Sequence, residues 1–336
     1  MLSTDLGISV IVPVFNRADL LPATLDAILG QTLPPLEVIV VDDGSTDATP
    51  AVLHRYEPRI RVLRVPNGGD LAARNAGMAL ARGQLLAFCD SDDLWQPDYL
   101  ATMQRMWVEE PGLRCAFGDF VVVRDGVWES TRKFAAAPAG FWDGLRSVAP
   151  DMSVFDAPIQ DRLLDFQPFF PSCLVADRHF MLSIGGWDES VGRRVGSDFA
   201  TALRLAEHAP FGVMHQALVG IRKHGGNFSG DVQAMNLGDA WILDHVLATR
   251  PAAARHAAAF RASAASRRRQ ALDTAFARGD FAAVRQIAAL LPPQEQSARL
   301  RLKTRIAGWP SWPRQLAGQG LALLGTLISA TRGRAG

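Results

Sequence analysis

Four short apolar runs set the frame for this chain: Ile8 to Val14, Leu36 to Val41, Ile60 to Val65 and Leu85 to Cys89. Each is nearly continuous rather than alternating, the pattern of strands buried on both faces of a parallel sheet. Parallel neighbours need crossovers, and helical patterns lie between the runs. Ala18 to Gln31 sets Leu21, Leu25, Ile28 and Leu29 on one face. Ser45 or Thr46 stands where a cap would open a second helix, and Asp70 to Arg82, stopped by Gly83, makes a third. Strand and helix repeated three times predict an α/β fold, doubly wound in α/β/α layers around a mainly parallel central sheet.

After Asp93 the pattern changes. Pro97 to Glu109 reads as a helix, and Cys115 to Val123 and Val127-Trp128 as strands joined by a hairpin at Arg124-Asp125-Gly126. Phe134 to Pro171, with repeated prolines and aromatics, reads as an irregular binding loop or lid. Leu237 to Arg305 is Ala- and Arg-rich and helical. The expected division is 1–230 as the α/β domain, 231–305 as a helical extension and 306–336 as a basic amphipathic tail.

A chain of 336 residues, 48% hydrophobic and 21% charged, has the balance of a soluble globular protein with a substantial core. A net charge of +1 gives no reason to expect a nucleic-acid partner. The three cysteines, Cys89, Cys115 and Cys173, are odd in number and set among apolar residues, which suits buried thiols in a reducing compartment. The opening Met1 to Asp5 lacks a basic stretch followed by an apolar run, so no signal peptide is read and a cytoplasmic location is expected.

Ligands of open α/β sheets bind beyond the carboxyl ends of the strands, and three runs end in suggestive residues. The first ends in Pro13-Val14-Phe15-Asn16-Arg17, where Phe15 could pack on a base or ribose, or simply be core. The second ends in Asp42-Asp43-Gly44-Ser45, which can accept hydrogen bonds from a nucleoside or merely form a turn and cap. The fourth ends in Asp90-Ser91-Asp92-Asp93. Three carboxylates within four residues repel one another unless water or a cation screens them, and oxygen ligands suit Mg²⁺ or Mn²⁺ bound with substrate phosphates. Arg74, in Ala73-Arg74-Asn75-Ala76-Gly77, could reach a phosphate. No G-x-G-x-x-G follows a strand and no G-x-x-x-x-G-K-[ST] occurs, which removes the main support for dehydrogenase and P-loop readings.

In order and spacing, these motifs resemble glycosyltransferase family 2, inverting nucleotide-diphospho-sugar transferases of the GT-A fold. The resemblance rests on Val10 to Asn16, Val40 to Ser45, Ala73 to Gly77 and Asp90 to Asp93, and on Phe170-Pro171-Ser172, Gly185-Gly186-Trp187-Asp188-Glu189 and Arg222-Lys223-His224. It spans roughly Ile8 to Gly230. It implies that Pro13, Phe15 and Asp43 bind the donor's base end, with Arg74 near the base or diphosphate. It also implies that Asp90 and Asp92 hold ribose and a Mn²⁺ or Mg²⁺ ion, that Asp93 and His224 can join that metal site, and that Asp198 is the catalytic base. Asp198 also suits a helix cap. The partners implied are a nucleotide diphosphate sugar, uridine most often, and a saccharide or lipid-linked acceptor of cell-envelope polysaccharide or glycolipid synthesis. One departure stands out: Gly196-Ser197-Asp198 replaces the usual Glu-Asp, which puts acceptor and rate in question. Two other readings compete. A sugar nucleotidyltransferase would carry a Gly-rich basic loop after the first strand, which this chain lacks. A non-catalytic donor-binding scaffold would bind without turnover.

From Gln296 to the end the chain holds seven basic and no acidic residues. Gln315 to Thr331 is uncharged and leucine-rich, and Trp309 and Trp312 precede it. Two readings stand: a helix lying in an anionic membrane interface, as peripheral attachment to the inner face of the plasma membrane, or a helix closing over the protein's own core.

Overall fold

The computed structural model describes residues 6–226 and 230–310, and the chain forms two compact units. The first comprises residues 1–193 and 197–227, and the second 194–196 and 228–336.

In the first unit β1 (Ile8–Val14) is buried along its whole length. It is followed by α1 (Leu21–Leu29), β2 (Glu37–Asp42), α2 (Thr49–His54), β3 (Arg61–Arg64), α3 (Asp70–Leu80) and β4 (Leu85–Phe88). Then come β5 (Leu94–Trp95), α4 (Tyr99–Glu109), β6 (Cys115–Arg124), β7 (Val127–Arg132), β8 (Leu145–Ala149), β9 (Met152–Phe155), β10 (Leu174–Asp177), α5 (Arg178–Ser183), α6 (Asp198–Leu205) and β11 (Phe211–Lys223). The main path through the sheet runs β3-β2-β1-β4-β10-β6-β11-β9-β8.

Strands β1 to β4 pair in parallel, as do β6 and β11, while β10 and β9 run antiparallel to their neighbours. The mixed α/β architecture with a largely parallel core is the one expected. The chain steps outward from β1 through β2 to β3, then returns to β1's other side as β4. That reversal makes the crevice beyond β1 a topological switch point, the place where such sheets hold ligands.

Two local features shape the switch point. At Gly77 a Cβ would stand 2.6 Å from Ile11, so glycine lets α3 lie directly on β1 and β2. Pro13 falls where β1 still pairs with β2, opposite Val41, but has passed the last residue of the β4 ladder. Its missing N–H is therefore not needed.

Several local expectations change. The stretch Phe134 to Pro171 is not irregular throughout: β8 and β9 form a hairpin that extends the sheet beyond β11. Its signal is weak because no residue of β8 is fully buried and its turn holds Pro150 and Asp151, the latter at φ 59°. Neither Ser45 nor Thr46 caps α2. Asp47 instead accepts from the Thr49 N–H at 2.9 Å, while Ser45 accepts from the Asn16 N–H. Helix α3 ends at Leu80, two residues before the expected stop. Asp198 is the first residue of α6 rather than its cap, which is Ser197. The hairpin at Asp125-Gly126 forms with both residues at positive φ, 50° and 80°, the geometry that favours such a pair.

The second unit is helical: α7 (Val232–Thr249), α8 (Ala257–Ala277), α9 (Phe281–Ala289) and α10 (Ala298–Ala307). Asp231, Asp280 and Ser297 cap α7, α9 and α10 through their side-chain oxygens. Leu272, Phe276, Val284, Ile287, Leu300 and Ile306 share one core. Segment Arg194–Gly196 belongs here: the Arg194 guanidinium lies 3.5 Å from the Trp241 ring centroid. A Cβ at Gly238 would fall 2.2 Å from the Val195 carbonyl oxygen, so only glycine allows that approach. Among the described residues no helix is long and apolar enough to cross a membrane. The expected tail helix within Gln315 to Thr331 lies outside them.

Candidate active site

Strand ends at the switch point place the sequence-selected residues in two adjoining groups. Phe15, just past β1, is 44% exposed beside the crevice, an arrangement that leaves its ring available to a planar ligand. Asn16 holds the turn after it, at φ 51°, by accepting from the Thr46 N–H at 2.8 Å. Asp43, almost wholly buried, accepts from the Gly68 N–H at 2.6 Å and the Gly69 N–H at 2.9 Å. Its carboxylate thus fastens the loop entering α3. Arg193 approaches it to 3.8 Å.

Arg74 is buried on α3 and gripped from both sides, donating to Asp70 and to Asp90 at 2.5 Å each. Its guanidinium lies 4.6 Å from the centroid of the Trp187 ring. The neighbouring Asn75 binds the same loop, donating to the Trp187 carbonyl at 2.9 Å and accepting from the Trp187 N–H at 2.8 Å. Gly186, at φ 68°, leaves room for it, because a Cβ there would stand 2.5 Å from the Asn75 amide oxygen.

The three clustered carboxylates diverge. Asp90 turns to Arg74. Asp92 receives Arg17 Nε at 3.3 Å and faces His224 Nε2 at 3.0 Å. Asp93 turns inward, accepting from the Ser172 hydroxyl at 2.5 Å and the Arg222 N–H at 3.1 Å. Burial, reinforced by the neighbouring Asp92 charge, raises the carboxyls of Asp90 and Asp93 above the ordinary range, Asp93 well above it, while Arg74 pulls Asp90 back down. A cation here would reverse that push. The Gly226 N–H donates to His224 Nδ1 at 3.1 Å, which leaves the ring proton on Nε2 and makes His224 a donor to Asp92. Binding a cation through Nε2 would require giving up that bond.

Could Mg²⁺ or Mn²⁺ fit? No group of three or more His, Cys, Asp or Glu among the described residues forms a cage. Arg74 takes one Asp90 oxygen, and Arg17 and His224 share one Asp92 oxygen, so each carboxylate retains its other oxygen. Two carboxylates completed by phosphate oxygens are a normal Mg²⁺ arrangement. Asp90 and Asp92 therefore fit a cation brought with a diphosphate.

Asp198 lines a cavity with Phe117, Phe169, Pro171, Leu174 and Trp187. It opens α6, where the helix dipole favours a negative charge. Trp187 is the shared wall: one partner is Arg74, another is the cavity of Asp198.

Sequence reasoning named Arg74, Asp43 and the aspartates but gave no role to Arg17, Ser172, Trp187 or Arg222. Arg222 donates to the carbonyls of Asp92 and Leu20 and to the Thr24 hydroxyl, tying β11 to the end of β4 and to the first turn of α1. Their only signal was membership of the motifs around them.

The family model described as Glycosyl transferase family 2 matches residues 9–163. Chondroitin synthase of Pasteurella multocida (strain Pm70) is 34% identical over 113 residues, 33% of this chain and 12% of that protein. The succinoglycan biosynthesis protein ExoO of Rhizobium meliloti is 41% identical over 98 residues, 29% of this chain and 28% of its own. The matched part thus spans well under a third of either relative. S. aureus TarS 1–349 in complex with UDP-GlcNAc superposes with a TM-score of 0.61 at 17% identity, covering 90% of each chain. That likeness shows a common fold. Motifs, topology and family match agree: residues 9–163 match the family 2 glycosyltransferase model, and the chain shares the fold of TarS.

Proposed function

We propose that this chain is an inverting glycosyltransferase moving a sugar from a nucleoside diphosphate sugar, UDP-linked in the first instance, to an acceptor hydroxyl. The acceptor is a saccharide or a lipid-linked glycan of cell-surface polysaccharide or glycolipid synthesis. The observation that carries this reading is the convergence of Phe15, Asp43, Arg74, Asp90 and Asp92 on the switch point of the sheet. The UDP and UDP-GlcNAc complexes of TarS, which shares the fold, support a uridine donor. Relatives named for chondroitin and succinoglycan support a polysaccharide product.

In this reading Pro13 and Phe15 floor the nucleoside site and Asp43 shapes its wall through the Gly68-Gly69 loop. Arg74, held ready by Asp70 and Asp90, meets the diphosphate. Asp198 accepts the proton of the acceptor hydroxyl while that oxygen bonds to the anomeric carbon. The bond from that carbon to the diphosphate oxygen breaks on the opposite face, so one displacement inverts the centre. A Mg²⁺ or Mn²⁺ ion held by Asp90 and Asp92 would offset charge on the departing diphosphate.

Ser197, buried and without a side-chain capping bond, favours one second reading: donor binding without turnover. A panel of nucleoside diphosphate sugars with Mn²⁺ or Mg²⁺ and varied acceptors separates the two. Release of nucleoside diphosphate, reduced roughly 10²- to 10⁴-fold in Asp198→Asn, supports transfer. Donor binding with no release across the acceptor set would refute it.

A further inference from the structure

Charge is divided unevenly between the units. The second carries 16 Lys and Arg against 6 Asp and Glu, whereas the first carries 19 against 28. Five of the six acids are already matched within their unit: Asp231 by Arg278, Asp239 by Arg267, Asp244 by Arg268, Asp273 by Lys303 and Glu295 by Arg269. The sixth, Asp280, caps α9. The cationic surplus is therefore uncompensated inside the unit.

Part of it is concentrated on α10, which has four basic and no acidic residues. Leu300, Lys303, Ile306 and Ala307 face inward. Arg299, Arg301, Leu302 and Arg305 are exposed, as is Trp309 just beyond the helix. At 3.6 residues per turn, Leu302 and Arg305 fall about 60° apart around the axis, and Trp309 follows two residues past the helix end. The two apolar members are large and open to solvent, 44% for Leu302 and 45% for Trp309. Arg299 and Arg305 have no acidic partner among the described residues, and Arg301 donates to the Gln296 carbonyl, which leaves its charge uncancelled.

We propose that this face of α10 docks on an anionic lipid bilayer, with Leu302 and Trp309 entering the interface and Arg299, Arg301 and Arg305 meeting lipid phosphates. Apolar side chains set among arginines are the chemistry of an interfacial helix, and tryptophan settles at headgroup depth. A soluble acidic polymer would satisfy the arginines but leave Leu302 and Trp309 in water, which is why lipid is the better fit. The site stands on described residues alone, and it is independent of the proposed reaction.

Co-sedimentation of the full chain with phosphatidylcholine vesicles, with and without phosphatidylglycerol, tests it. Binding should need phosphatidylglycerol and weaken with salt. Arg299→Gln, Arg301→Gln and Arg305→Gln together should weaken it roughly a hundredfold. Leu302→Ser with Trp309→Ser should weaken it roughly tenfold or more, and unchanged circular dichroism would exclude misfolding as the cause. Three results would overturn the proposal: no binding to anionic vesicles, binding indifferent to both sets of substitutions, or capture by an acidic polysaccharide in preference to vesicles.

Discussion

Carboxylates in the first unit are crowded, and those in the second are dispersed. Asp90, Asp92 and Asp93 sit within four residues at the end of β4, and each is held by a different partner drawn from a distant part of the chain. In the second unit, Asp239, Asp244, Asp273 and Glu295 are spread along the helices, and each meets one arginine or lysine. Crowding like charges destabilises a fold unless something offsets it, whereas one-to-one pairing needs no ligand. The difference separates carboxylates crowded at one strand end from carboxylates each matched by a single basic residue. It predicts that the clustered carboxylates and their partners are irreplaceable, and that the one-to-one ion pairs of the second unit are exchangeable for folding.

The largest effect should follow from Arg74→Ala. That change strands the carboxylate of Asp90 next to Asp92 and removes the cation stacked on Trp187. Breaking a buried pair from one side costs about 3–5 kcal/mol, so chemical denaturation should show a loss of that order together with loss of donor binding. A stability change below about 1 kcal/mol would mean that the pair is not part of the framework.

Asp239 sharpens the contrast through pH. Burial pushes its carboxyl up to about 6, against the opposing charge of Arg267. The folded state then holds the proton more tightly than the unfolded chain, so stability is highest below the ordinary carboxylate range and declines as pH rises through about 6. The decline should be on the order of 2–3 kcal/mol. Asp239→Asn should flatten that part of the profile, and an identical profile in the variant would break the assignment.

Lys303→Met should have the smallest effect. Lys303 is buried beside Asp273 and over the Phe276 ring. Met keeps the packing of the buried Lys303 stem, and Asp273, half exposed, is solvated by water once the ammonium is gone. Thermal unfolding should move by no more than about 1 kcal/mol in either direction. A loss like that of Arg74→Ala would erase the distinction between the two units.

How legible all this was from sequence follows the same division. β1, β2 and β4 could be read because strands buried on both faces appear as unbroken apolar runs, and the motifs at their ends were visible for that reason. The β8–β9 hairpin was hidden, because a short strand with no fully buried residue, Leu145–Ala149, carries little apolar signal and a proline marks its turn. In sequence Asp90, Asp92 and Asp93 are three equivalent carboxylates. Only tertiary pairing turns Asp93 inward to Ser172 and the Arg222 N–H while Asp90 pairs with Arg74 and Asp92 with Arg17. Arg17 and Arg222 act across the fold, on residues 75 and 130 positions away, and no local pattern announces that.

The most direct test of the central claim is calorimetric titration of UDP, with Mn²⁺ or Mg²⁺ present, into the intact chain and two variants. If the switch-point crevice is the donor site, the wild type and Asp198→Asn should bind comparably and Asp92→Ala should bind far more weakly. Undiminished binding by Asp92→Ala, or no binding of any nucleoside diphosphate by the wild type, would contradict the account.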